Sequence, residues 1–133
     1  GSSWIIDESR QFVFLTHHAK LNRWLQPGGH ADGDENILQV AEREAREETG
    51  LKTLTLLKDS IFDIDIHVIP ARPDFPEHDH YDVRFLFQAS MHESFVITIE
   101  SNNLAWKKIQ ELPELTGGDP SMLRVTEKIK VLP

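Results

Sequence analysis

Residues 29 to 51 read GHADGDENILQVAEREAREETGL, and the position of the acids in the second half decides what the rest of the chain is built around. As a helix turning about 100° per residue, this stretch sets Glu44, Glu47 and Glu48 within one arc of roughly 100°. Ile37, Leu38, Val40, Ala41 and Ala45 share that side, while Gln39, Glu42, Arg43 and Arg46 fill the other. An ordinary amphipathic helix holds its charges opposite the apolar stripe. Here the stripe itself turns acidic partway along. The competing reading, a solvated Glu-rich face, does not account for acids on the buried side. Like charges three and four residues apart repel by about 0.2–0.5 kcal/mol per pair on an open surface, and by more in a cleft of lower dielectric. A cation between them removes that repulsion. An all-oxygen donor set in a chain without cysteine suits a hard divalent ion, Mg²⁺ or Mn²⁺, better than zinc.

The flanks mark where this helix begins and ends. Pro27-Gly28-Gly29 is a strong turn, and adjacent glycines let backbone carbonyls approach an ion with no Cβ in the way. Asp34 is the expected N-cap, with Glu35 in the first turn, where the helix dipole favours an acid. Gly50 stands where a left-handed residue closes a helix. The expected helix is therefore Glu35 to Thr49.

Working outward, Trp4 to Asp7 and Gln11 to Thr16 read as two strands of a hairpin around Asp-Glu-Ser-Arg. Gly1-Ser2-Ser3 reads as a cloning remnant or truncation point and receives no function. His17 to Gln26 is a loop or irregular strand leading to the glycines. Beyond the helix, Leu54 to Leu57 is a short strand. In Ile61 to Ile69, Phe62, Ile64, Ile66 and Val68 alternate with Asp63, Asp65 and His67, the period of a half-buried strand. Pro70 to Pro76 is a loop, because prolines are excluded from a central strand. Tyr81 to Ala89 and Phe95 to Ile99 are further strands, Glu100 to Asn103 a turn, and Leu104 to Lys107 leads to a short helical piece ending at Pro113. Asp119 caps a last helix opened by Pro120, with Met122, Val125, Ile129 and Leu132 on its buried face. Hairpin, helix, several strands and helix make an α/β (α+β) layered domain with a mixed sheet.

A chain of 133 residues, 39% hydrophobic and 27% charged, is one globular domain rather than two or a disordered segment. No apolar run reaches the ~20 residues that span a bilayer, so no membrane partner is expected and the location reads as cytoplasmic. The net charge of -8 argues against a nucleic-acid polymer as partner, since such proteins gather Lys and Arg against phosphates. It leaves room for a small phosphorylated molecule approached through a metal ion.

The helix and its loop resemble the signature of the Nudix hydrolases: Gly, five residues, Glu, seven residues, then Arg-Glu-apolar-x-Glu-Glu-x-Gly-apolar. Those positions are Gly29, Glu35, Arg43, Glu44, Ala45, Glu47, Glu48, Gly50 and Leu51; Ala45 is small where a larger aliphatic is more usual. Trp24-Leu25-Gln26-Pro27-Gly28 is similar to the family's approach to this box. The resemblance implies an α/β/α sandwich with a mixed sheet, hydrolysing a diphosphate linkage in a small molecule such as a nucleoside diphosphate derivative, with Mg²⁺ or Mn²⁺. It implies Glu44, Glu47, Glu48 and the Gly29 carbonyl as metal ligands, Glu35 paired with Arg43 as a brace, and Glu100, six residues before Trp106, as a further ligand. Glu47 is the first choice for the base that takes the water's proton, with Glu44 and Glu100 as alternatives.

Each assignment has a plainer competitor. Arg43 is also placed to pair with Glu47 one turn on, and Glu100 reads equally as a solvated turn acid. His67, His78 and His80 lie in one region with Asp79 and Asp82; they offer a phosphate contact, a second metal site or a merely polar loop. Arg84 reads as a bidentate phosphate ligand or an outward strand residue. Trp24, Phe62 and Tyr81 read as ring-stacking groups or as core. A binding domain that had lost catalysis should lack a box acid, and this chain lacks none; a prenyl-diphosphate isomerase on the same scaffold is the other rival. Monomer and homodimer are equally compatible with the sequence.

Overall fold

A computed structural model describes residues 1–18, 21–95 and 101–133. Seven strands, β1 (Ser2–Ile6), β2 (Phe12–His18), β3 (Arg23–Leu25), β4 (Thr55–Leu56), β5 (Asp63–Ile69), β6 (His78–Gln88) and β7 (Ser101–Lys108), form one mixed sheet. The order is β3-β2-β1-β6-β4, with β5 also on β6 and β7 also on β2. The β1–β6 pair is parallel and the others are antiparallel. Helices cover both faces: α1 (Ile37–Thr49) on one, and a 3₁₀ turn (Ile109–Glu111), α2 (Leu112–Leu115) and α3 (Pro120–Lys130) on the other.

Alternation along the central strands builds two cores. Trp4, Ile6, Val13, Leu15 and Leu86 pack with Ile109, Leu112, Met122, Val125 and Ile129. Ile5, Phe14, Phe85 and Phe87 point the other way, onto Ala41, Ala45 and Leu51 around α1. A strand covered on both sides loses its polar face, which is why β1 is buried throughout. This is the α/β/α sandwich with a mixed sheet.

The wedge between β1 and β2 positions the site. These strands meet in register only at Ile6 and Val13. Toward its start, β1 pairs instead with the segment after β3: Ser3 N–H donates to the Pro27 carbonyl at 2.8 Å, Gly29 N–H to the Gly1 carbonyl at 3.1 Å, and Ser2 bridges Gly28. A Cβ on Gly28 would lie 2.5 Å from Ser2 Cβ, so the close approach requires glycine. Ser2 and Ser3 are thus parts of the central strand. Ser3 Oγ donates to the Ala41 carbonyl at 2.9 Å, tying β1 to α1.

Several boundaries differ from expectation. The α1 helix starts at Ile37, capped by Asn36, whose side chain accepts from Gln39 N–H; Asp34 accepts from Asn36 N–H one step upstream. Gly50 closes it with φ 71°, as expected. Ser101 to Asn103 belong to β7, not to a turn, because β7 runs the whole length of β2. Pro113 opens α2 rather than ending a helix, since proline fits the first turn. The expected strand Phe95 to Ile99 lies almost wholly outside the described residues, as does Glu100.

The largest reversal is β5. Ile64, Ile66 and Val68 are exposed, with Tyr81 beside them on β6, while Asp63 is buried. The covered face is the polar one because α3 and its cations lie over it, and no described element lies over the other.

Candidate active site

Glu44 and Glu48 sit one turn apart on α1, half-buried, facing the glycine loop. Gly28 N–H donates to Glu48 Oε2 at 3.3 Å. A Cβ on Gly29 would lie 2.5 Å from Glu44 Cδ and 2.7 Å from its Oε2. Only glycine lets the carboxylate lie flat on the loop. The Gly1 ammonium donates to the Gly29 carbonyl at 2.9 Å. Burial lowers its pKa, against the carboxylates of Asp82 and Glu44, which hold it up.

Glu44, Glu48, Gly28 and Gly29 line one end of a cleft of about 920 Å³. The cleft runs under β1 and β3 to His67 and His80 on the β5–β6 hairpin and to Asp119, Pro120 and Ser121 at the start of α3. Glu47 is exposed and is not among the lining residues. Glu35 is also exposed. Arg43 lies instead near Asp34, Nη1 to Oδ2 at 3.7 Å, and at 4.0 Å from Glu44 Oε1. The expected Glu35–Arg43 brace is absent among the described residues because the helix begins two residues later and leaves Glu35 in the loop.

The weaker substrate assignments separate in the same way. His80 lines the cleft. His78 does not; its Nδ1 lies 3.0 Å from the Pro76 carbonyl and its ring packs on Phe75. Trp24 points away from the cleft between its lining neighbours Arg23 and Leu25. It packs at the edge of the core, under the Lys107 ammonium at 4.4 Å. Arg84 is reached by the cleft but is 3% exposed. Its donors go to Asp63 (3.2 Å), Asp82 (3.1 Å) and the carbonyl and hydroxyl of Ser121, so the guanidinium is a strut in the cleft wall and not a free phosphate ligand.

Asp63 anchors that wall. Its carboxylate accepts from Arg84, from Arg124 at 2.7 and 2.9 Å, and from Lys128 at 2.6 Å. Burial pushes its pKa up, but the hydrogen bonds from Arg124 and Lys128 outweigh that and bring it to about 2. Asp82 accepts from Ser2 Oγ at 2.7 Å, Gln26 Nε2 at 3.0 Å and Arg84 Nε, joining β1, the glycine loop and β6. Asp63, Ser2, Gln26, Arg124 and His30 were not singled out from sequence. The signal was the pair of alternating patterns, Asp63-x-Asp65-x-His67 and His80-x-Asp82-x-Arg84, whose polar positions share one face.

Among the described residues no three His, Asp or Glu side chains converge as a ready metal cage. The donors at the glycine loop still fit a hard divalent ion: two half-buried carboxylates, Glu44 and Glu48, against a backbone carbonyl.

A mixed sheet between two helical layers, with an acid-bearing helix against a glycine loop at the mouth of a cleft, defines the class. A family model described as NUDIX domain matches residues 2–129, and the chain belongs to that family. The Mus musculus protein named bis(5'-nucleosyl)-tetraphosphatase [asymmetrical] is 41% identical over 46 residues, 35% of this chain and 31% of that protein. Its Rattus norvegicus counterpart is 38% identical over 47 residues, 35% and 32% of the two chains. The match thus spans about a third of the length of these curated relatives. Two solved structures share the fold, each at a TM-score of 0.72. A Caenorhabditis elegans Ap4A hydrolase in a binary complex is 18% identical, over 97% of this chain and 92% of that one. A NUDIX-family hydrolase from Clostridium perfringens is 24% identical, over 99% and 95%.

Proposed function

We propose that this chain is a divalent-metal-dependent hydrolase of a phosphoanhydride bond in a nucleoside diphosphate derivative or related small molecule, acting in the cytoplasm as a monomer or homodimer. The observation that carries the reading is the seating of Glu44 and Glu48 on Gly28 and Gly29 at the end of the cleft. The partial identity with tetraphosphatases supports a linear run of phosphates between two groups. No helix among the described residues is long and apolar enough to cross a membrane, in keeping with a small-molecule substrate.

Glu48, Glu44 and the Gly29 carbonyl, with Glu47 at the outer edge of the same helix face, would hold Mg²⁺ or Mn²⁺, and Glu100 is the further acid implied by the family pattern. The ion supplies charge neutralisation on phosphate oxygens and a more acidic water. Glu44 lies flat on the loop and faces the cleft, so it is the better placed of the box acids to accept the water's proton. Ser2, Gln26 and Arg84 hold Asp82, keeping the cleft floor rigid beneath the substrate.

The test is a panel of nucleoside diphosphate sugars, dinucleoside polyphosphates, nucleoside triphosphates and prenyl diphosphates, assayed for released phosphate or nucleotide with and without Mg²⁺, beside Glu48→Gln. Metal-dependent hydrolysis of at least one member, reduced about 100-fold or more in the variant, is expected. Lack of turnover on every member, isomerised product without hydrolysis, or full activity in Glu48→Gln overturns the reading.

A further inference from the structure

Away from the acidic corner, three imidazoles meet in the cleft wall. The His80 ring lies 4.9 Å from His67 across the β5–β6 pair and 5.7 Å from His30 on the loop after Gly29, edge-on to the latter. All three line the cleft. The His67 Nδ1 is 3.3 Å from Asp65 Oδ2, which fixes that ring's orientation. The His80 Nδ1 is fully buried and has no hydrogen-bond partner among the described residues. A buried ring nitrogen without a partner is an unmet hydrogen-bonding group in the cleft wall.

The kind of ligand follows from what the cleft already holds. Its lining contains six carboxylates, Asp32, Glu44, Glu48, Asp65, Asp82 and Asp119, and three guanidiniums. Each guanidinium is committed: Arg23 to Asp119 at 2.9 Å, Arg84 to Asp82 at 3.1 Å, Arg124 to Asp65 at 3.4 Å and more closely to Asp63. Beside these paired guanidiniums, an anion entering the cleft meets the ring nitrogens of His30, His67 and His80. A metal ion in the cluster is disfavoured, because these side chains do not converge as a ligand set among the described residues. His30 directly follows Gly29, on which Glu44 lies, so the cluster continues from the acidic corner by a single residue.

We propose that His30, His67 and His80 form a phosphate-binding subsite that holds the phosphate group next to the one attacked, which makes the preferred substrates those with three or more phosphates in series. This rests on the hydrolase reading for its role in turnover, but the binding itself does not. An imidazole N–H donates to a phosphate oxygen, and a row of rings, His80 between His30 and His67, takes the part that an arginine cluster plays in other phosphate sites.

The experiment separates the two. With EDTA present, so that no divalent ion contributes, the ¹⁵N-labelled chain is titrated with inorganic triphosphate, and with inorganic phosphate as the shorter probe, while imidazole resonances are followed. Saturable movement of the His30, His67 and His80 signals together, with triphosphate binding at least tenfold tighter than phosphate, is expected. His80→Gln and, on a more exposed ring, His67→Gln should each weaken triphosphate binding at least fivefold. With metal restored, each should raise KM for a substrate of three or more phosphates while kcat stays within about twofold. Imidazole signals that do not move, movement with zinc but not triphosphate, or unchanged affinity in a folded His67→Gln overturns the subsite. Triphosphate binding in EDTA without turnover on any substrate would instead leave the subsite standing and remove the hydrolase.

Discussion

The two ends of the cleft are built on opposite plans. At the α1 end, the parts come from one continuous stretch: loop, helix and cap lie between Gly28 and Gly50, and the acids are held by backbone N–H and the lack of a Cβ. At the β5–β6 end, the parts come from four separate segments, and charge does the holding, through Asp63 with Arg84, Arg124 and Lys128. In the first arrangement the guanidinium of Arg43 comes no nearer to Glu44 than 4.0 Å. The second neutralises its charges internally, through Asp63 and its three cations. Reactive chemistry is thus placed on a short-range scaffold, and cleft shape on a long-range one.

That contrast can be broken at several points. Asp63→Asn should have the largest effect on stability. It removes the carboxylate shared by Arg84, Arg124 and Lys128, while Arg84 keeps Asp82, so the cost should be about 2–3 kcal/mol; chemical denaturation should show a lower midpoint with little change in slope. The same carboxyl gives a pH signature. Its folded pKa of about 2 lies below the unfolded value of about 3.9. The stabilisation is therefore complete above about pH 4 and is lost as pH falls toward 2, amounting to about 2 kcal/mol, and this loss should vanish in Asp63→Asn.

Gly29→Ala probes the other end. Its Cβ must displace the Glu44 carboxylate, so stability should fall by about 1–3 kcal/mol while metal-dependent turnover falls further, which parallel melting and activity assays will show. An equal fractional loss in both would mean that the loop only supports the fold. Ile66→Thr, on the exposed face of β5, should change stability by no more than about 0.5 kcal/mol. A larger loss by thermal melting would show that this apolar face is covered in solution.

The same division explains what could be read beforehand. Gly50 and the Asp119-Pro120 start of α3 are local patterns, set by capping, and they appear where expected; on α1, Glu44 and Glu48 face the glycine loop while Glu47 is exposed. On β5 the alternation was legible, but alternation defines two faces without saying which one another element covers. The covering residues, Arg124 and Lys128, lie 61 and 65 positions away. Ser2 had no visible role because its partner, Asp82, is 80 residues distant. The Glu35–Arg43 brace was carried by resemblance alone, and the helix start at Ile37 left Arg43 near Asp34 instead.

The hydrogen bonds that converge on Asp82 have a consequence for the order in which the molecule is made. Ser2 and Gln26 reach it across 80 and 56 residues, whereas α1 is closed by contacts three and four residues apart, Asn36 to Gln39 and Thr49 to Ala45. Closing long loops is slow relative to forming a capped helix. The acid-bearing helix can therefore form early, while the cleft beside it is assembled only when β1, the glycine loop and β6 have met. A chain caught partway through folding would carry its acids in place with no pocket to use them in.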